Sequence, residues 1–188
     1  MKIRPWGRLN WILPKMGVKD WHVIACSSCE ERSVALVEWM RLTNQNIQSS
    51  ALFCIENPLS DAWKFAKPLR DESFQKLFSW LNGANCHVVE TSLLDSPRLA
   101  SIDAVDKLRS GSVVLDITTF PKRYFLYILH LLMLNKSVEN LLVTYSKALS
   151  YPELALCADS LPPSPFPGYV RIDSKKTIDF LLVWAIRH

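Results

Sequence analysis

Short apolar runs recur along the chain, and between them the apolar positions fall at helical rather than alternating spacing. Residues 21–25 (WHVIA), 51–55 (ALFCI), 87–90, 113–115 and 141–145 (LLVTY) read as five strands. Between the first two, residues 30–42 place Val34 and Val37, with Leu36 and Met40, on neighbouring faces of a helix. Residues 71–82 (DESFQKLFSWLN) set Phe74, Leu77, Phe78 and Leu81 at i, i+3, i+4 and i+7, an amphipathic helix ended by Asn82-Gly83. A short helix is predicted over 101–108 and a long, almost wholly apolar one over 121–135.

Strands that are apolar without alternation, separated by helices, predict an α/β protein. The expected architecture is a Rossmann-like open, mainly parallel sheet with helices on both faces. Residues 1–150 are expected to form its ligand-binding core. After Tyr151 the pattern breaks: LPPSPFPG (161–168) reads as a proline-rich connector and IDFLLVWAI (178–186) as a terminal strand. We assign 151–188 to the same domain. A last strand without a following helix suits half of a larger architecture, or pairing with another subunit.

At 188 residues and 49% hydrophobic, the chain can bury a full core, and one domain is the default. The net charge of +4, from 22 Lys+Arg against 18 Asp+Glu, tolerates an anionic partner without demanding one. Its longest cationic pairs, Lys122-Arg123 and Lys175-Lys176, are short. That argues against a duplex nucleic-acid partner, which calls for a dense basic stripe. The N-terminus lacks an apolar core of secretory length, so no signal peptide is expected. The greasiest run, 124–134, falls short of the ~20 residues needed to cross a bilayer. Five scattered cysteines, an odd count, fit reduced thiols in the cytoplasm.

In open α/β sheets, ligands bind beyond the carboxyl ends of the strands where the strand order reverses. The first and fourth strands usually flank that crevice, and their exits are the two most polar spots here: CSSCEER (26–32) and DITTFPKR (116–123). Ser28 and Glu31 fit a reciprocal capping box that needs no ligand. That leaves Ser27, at the strand tip, and Arg32 to face the crevice. Cys26 and Cys29 have the spacing of a redox dithiol but lack the thioredoxin surroundings. A zinc site would need a second pair of ligands, and the other cysteines and histidines do not cluster. Neither a metal nor a cofactor is expected.

In DITTFPKR, Pro121 suits a first helical turn, and Thr118 or Thr119 can cap it. Lys122 and Arg123 oppose the helix dipole there, an unfavourable effect of roughly 0.3–1 kcal/mol each. Two such cations make sense if an anion joins them at the free N–H groups of the helix terminus. Asp116 would accept from a ribose hydroxyl or a base amine, or else pair with one of the two cations. Tyr145, leaving the fifth strand, either stacks on a base or is a half-buried aromatic. Glu56-Asn57, Lys64, Lys67 and Arg70 either rim the site or belong to a solvated loop.

Asp116, Thr118 and Lys122 together have the form Asp/Asn-x-Ser/Thr-x-x-x-Lys/Arg, at the end of the fourth strand. That arrangement resembles the signature of CRISPR-associated Rossmann fold (CARF) sensor domains and related defence-associated Rossmannoids. The resemblance covers the first 150 residues or so. It implies binding of cyclic oligoadenylates or other nucleotide messengers, usually across a dimer. Asp116, Thr118 and Lys122 would line the pocket, with Ser27 and Ser28 contributing. This chain departs from many members in having no Gly-Gly after Thr118, and no effector domain is expected within it. In that family the helix after the motif contributes to the dimer face, which suits the apolar 121–135 helix.

Three functions follow as expectations. The first is a nucleotide second-messenger sensor in prokaryotic antiviral defence, acting as a homodimer or within a larger assembly. The second is an enzyme on the same scaffold, a ring nuclease or nucleotide hydrolase, with Glu31 and Asp116 as candidate catalytic groups. The third is a structural subunit of a defence complex.

Overall fold

A computed structural model describes residues 7–17, 20–81, 85–108 and 110–148. Five strands form one all-parallel sheet in the order β3-β2-β1-β4-β5: β1 (Asp20–Ser27), β2 (Asn46–Glu56), β3 (Cys86–Ser92), β4 (Gly111–Asp116) and β5 (Val138–Thr144). The helices are α1 (Leu9–Met16), α2 (Ala35–Leu42), α3 (Trp63–Leu81), α4 (Pro97–Asp106) and α5 (Lys122–Leu134), and a 3-10 turn, Glu31–Val34, precedes α2. This is the Rossmann-like α/β fold expected from the hydrophobic pattern. The proposed connector and terminal strand of 151–188 lie outside the described residues, as does the Asn82-Gly83 stop.

The sheet divides the core in two because successive side chains of a strand point to opposite faces. Trp21, Val23 and Ala25 of β1 pack with Leu13 of α1, with Leu36, Val37 and Met40 of α2, and with Leu77 and Leu81 of α3. Ile24 and Cys26 turn the other way, toward Ala104 and Val105 of α4 and Tyr124, Ile128 and Leu132 of α5. Residues 21–27 of β1 are buried throughout, as a central strand covered on both sides must be. Two edge-to-face ring pairs, Phe53–Phe120 at 5.1 Å and Phe53–Tyr124 at 6.4 Å, tie β2 to the start of α5.

Four departures from the sequence reading have physical causes. β2 begins five residues early, because its polar opening is held by pairing: Ile47 lies opposite Trp21 and Ser49 opposite His22, whose Nδ1 lies 2.6 Å from the Ser49 hydroxyl. α3 begins at Trp63, so Lys64, Lys67 and Arg70 stand on a helix rather than a loop. Pro68 is tolerated inside it, at the loss of one backbone bond. α1 was not anticipated; it too contains a proline, Pro14, and ends on Gly17 at φ 64° in the left-handed conformation. Finally, α5 starts at Lys122 with Pro121 at its N-cap, one position later than expected. It buries Tyr124, Tyr127, Ile128 and Leu132 within the chain, while Met133 and Leu134 near its end are exposed. No helix among the described residues is long and apolar enough to span a membrane.

Candidate functional site

Strand order reverses between β1 and β4, which pair directly through Val23–Val114 and Ile24–Leu115. The chain leaves β1 toward α2 on one face and leaves β4 toward α5 on the other. The two loops therefore part at the carboxyl end of the sheet, where open α/β folds place their ligand crevice. CSSCEER and DITTFPKR face each other across it, joined by Thr119, whose hydroxyl donates to the Cys26 carbonyl at 2.8 Å.

Asp116 lies at the floor, 3% exposed. Its Oδ1 accepts the backbone N–H of Thr118 at 3.1 Å and the Thr118 hydroxyl, a turn built by the aspartate on its own loop. Thr144, the neighbour of Asp116 across the β4–β5 ladder, also directs its hydroxyl there at 3.5 Å. Burial pushes the carboxyl pKa up to about 6, and the Thr118 and Thr144 hydrogen bonds and the positive charge of Arg32 only partly oppose that. Among the described residues Asp116 forms no ion pair, so the expected pairing with Lys122 or Arg123 is not made.

The threonines do not cap α5. Thr118 spends its hydroxyl on Asp116 and accepts the backbone N–H of Ser146 at 2.9 Å; Thr119 is bound to Cys26. Pro121, at the N-cap of α5, offers no side-chain cap, and its carbonyl accepts the Tyr124 and Phe125 N–H groups, which leaves those of Lys122 and Arg123 for a ligand or water. Lys122 is exposed beside them and bonds to no described residue. Arg123 behaves otherwise: its Nη1 donates to the Leu93 carbonyl at 2.9 Å, so it braces the loop between β3 and α4. The cation pair expected to act jointly is thus split between a free ammonium and a structural guanidinium.

On the opposite loop, Ser27 is 3% exposed and donates to the Phe53 carbonyl at 3.1 Å, within the sheet rather than into the crevice. The capping box is absent. Ser28 accepts the N–H of Glu30 at 3.3 Å, and Glu30, the N-cap, gives no side-chain cap to the turn that follows. Glu31 is exposed and bonds to no described residue. Arg32 crosses the crevice: it donates to the Ser146 carbonyl at 2.7 Å and the Tyr145 hydroxyl at 3.2 Å, and it pairs with Glu30. Its guanidinium carbon stands 5.7 Å from the centre of the Tyr145 ring, which is 53% exposed.

Sequence reasoning missed Ser146, whose backbone N–H and C=O tie Thr118 and Arg32 together; a main-chain role leaves no signature in residue type. It also missed that Arg70 is buried, 2.6 Å from Asp71 and 3.9 Å from Glu56. The Cys26 thiol is raised by burial, the reverse of what a reactive thiolate requires, while Cys29 is exposed and both are free. No group of three metal-ligating side chains occurs among the described residues. The fold defines a Rossmann-like α/β protein with polar loops at its switch point. Comparisons with protein-family models, curated proteins and solved structures return no match.

Proposed function

We propose that the protein is a binding module that senses a nucleotide-type anionic ligand, of the cyclic-oligonucleotide class, at the β1–β4 crevice. One observation carries this reading. Asp116 is an ionisable group enclosed at a strand tip with no cation paired to it, its pKa pushed up to about 6. The turn with Thr118 needs only an oxygen acceptor, which an asparagine would supply without the desolvation of a charge. A carboxyl kept where it costs stability, inside a ligand crevice, is accounted for by a ligand.

The surroundings suit a nucleotide. The Lys122 and Arg123 N–H groups at the start of α5 and the Lys122 ammonium favour phosphate. The exposed Tyr145 ring offers a stacking face for a base. In this reading Asp116 accepts from a ribose hydroxyl or an exocyclic amine. The defence setting, and action within a homodimer or larger assembly, rest on the resemblance of the Asp116–Lys122 motif alone. Thermal-shift measurements with cyclic oligoadenylates, mononucleotides and NAD test the proposal. Stabilisation by a member of the panel, lost in Lys122→Ala, is expected; equal shifts for both proteins, or none, would count against it.

A second reading is favoured by the same carboxyl. A group titrating near 6 can both accept and donate a proton close to neutral pH, as a general acid–base must. Glu31, exposed on the rim, is less enclosed as a partner. Incubation of the panel with pure protein, followed by product analysis, separates turnover from binding.

A further inference from the structure

β3 is an outer strand of the sheet: it pairs with β2 on one side, and among the described residues no strand pairs with it on the other. The two backbone groups of a strand residue point to the same side, and neighbouring residues alternate. The Leu93 N–H is bonded to the Glu56 carbonyl, so residues 89 and 91 also turn their backbone groups to β2, while Val88, Glu90 and Ser92 turn theirs outward. Asp95 Oδ2 already takes the Ser92 N–H, at 3.1 Å. Val88 and Glu90 are left with both N–H and C=O directed at the edge.

α4 stands over this edge. Its Ser96, Leu99, Ala100 and Asp103, at helical spacing, line a groove of about 570 Å³ whose other wall is residues 88–91 of β3. The helix packs inward through Pro97, Ser101, Ala104 and Val105, which leaves Leu99 77% exposed. Unpaired strand amides and carbonyls beneath an apolar ledge suit one kind of ligand, an extended chain that continues the ladder.

Charge narrows the partner. Three carboxylates, Glu90, Asp95 and Asp103, line the groove, and no lysine or arginine does. Asp103 is matched by Lys107 at 3.0 Å, Arg123 is held by the Leu93 carbonyl, and Arg98 lies well round α4 from the groove stripe. Neither Glu90 nor Asp95 forms an ion pair with a described residue. Val89 packs into the core under α4 and Thr91 meets the Tyr124 hydroxyl, so the Val88 and Glu90 side chains point to the other face of the sheet. An added strand would therefore set one row of side chains against Leu99 and Ala100 and the alternate row beside Glu90.

We infer that the β3 edge is a docking site for an extended segment of a partner protein in which apolar residues alternate with lysine or arginine. The chain's own apolar run 178–186 does not suit it, since that run carries Asp179 and no cation. The site is separate from the β1–β4 loops, because β2 lies between β3 and β1.

Backbone-amide NMR of the isotope-labelled full chain, titrated with a synthetic octapeptide alternating valine and lysine, tests the inference. In the chain alone the Val88 and Glu90 amides should exchange readily with solvent; the peptide should shift and protect them. Val88→Pro removes an outward N–H, spares the ladder to β2, and should weaken binding by about tenfold or more. Glu90→Lys, at an exposed side chain, should weaken it by a similar factor and should bind the valine–glutamate counterpart better than wild type does. Val88 and Glu90 amides already protected in the chain alone would assign the edge to its own residues or to a second copy. That result, shifts confined to other surfaces, or equal binding of the acidic peptide by wild type would each overturn the docking site.

Discussion

Thr118 donates to Asp116 twice, through its backbone N–H at 3.1 Å and through its hydroxyl, and both bonds end on the same carboxylate oxygen. Two residues apart in sequence, they close a turn that fixes the crevice floor. The Ser146 N–H, bound to the Thr118 hydroxyl, carries that order to the exit of β5. The turn is stable in itself, yet it holds a carboxyl in a place that disfavours its charge.

The cost should appear in the pH dependence of stability. In the folded chain Asp116 titrates at about 6, above its ordinary 3.8, so the folded state binds the extra proton. The contribution of this group to stability is therefore fully present below about pH 4 and falls as pH rises through 6. The loss at neutral pH is on the order of 3 kcal/mol. Asp116→Asn keeps the acceptor and removes the titration. Chemical denaturation at pH 5 and 7 should show the variant more stable than wild type at pH 7 and the gap narrowing at pH 5. A variant less stable at pH 7 contradicts the assignment.

Thr118→Val keeps the shape and deletes the hydroxyl. The buried acceptor for Ser146 disappears and Asp116 loses a donor, which should cost about 1–3 kcal/mol. The same change should move the Asp116 titration further up, because one of the bonds that holds it down is gone. Carboxyl chemical shifts followed over pH by NMR give the second result independently of the first.

Lys122 and Arg123 are adjacent but should behave differently. Lys122→Ala removes an exposed first-turn cation and should change stability by under about 1 kcal/mol, in the favourable direction. Arg123→Ala breaks the tie to the Leu93 carbonyl and should destabilise by about 1–2 kcal/mol. Thermal melts of the two variants side by side check this, and equal effects would count against the split.

Arg32→Ala should loosen the end of β5 without unfolding the sheet, since the guanidinium is the described link from the first loop to Tyr145 and the Ser146 carbonyl. Hydrogen exchange of amides near 144–146 should quicken while those of the central strand β1 stay protected. Unchanged exchange at 144–146 would show that other contacts hold that exit.

Much of the fold was legible because a sheet covered on both faces writes itself as unalternating apolar runs, and β1 and β4 do so plainly. α1 and the first turns of α3 were illegible for a shared reason. Each contains a proline, and much of each faces solvent, so neither periodicity nor composition marks them. The polar start of β2 looked like a loop because its partners, His22 and Asp20, lie far away in sequence.

The site was legible as a place rather than as a set of directions. Sequence located both loops at the switch point, as their polar residues at strand tips suggested. Whether a hydroxyl at a strand tip faces ligand or neighbour depends on the backbone turn and on carbonyls contributed by distant residues. Ser27 found the Phe53 carbonyl, Thr119 that of Cys26, and Thr118 the adjacent carboxyl. Residue type alone could not distinguish Lys122 from Arg123; among the described residues it is Arg123 that meets a carbonyl, that of Leu93.

The most direct test of crevice binding is a backbone-amide NMR titration of the isotope-labelled chain with the cyclic oligonucleotide or nucleotide that gives the largest thermal shift. Perturbations should gather at Ser28–Glu30, Lys122, Arg123 and Tyr145, and they should vanish in Lys122→Ala. Perturbations confined to other surfaces, or none at millimolar ligand, would contradict a nucleotide site at the β1–β4 switch point.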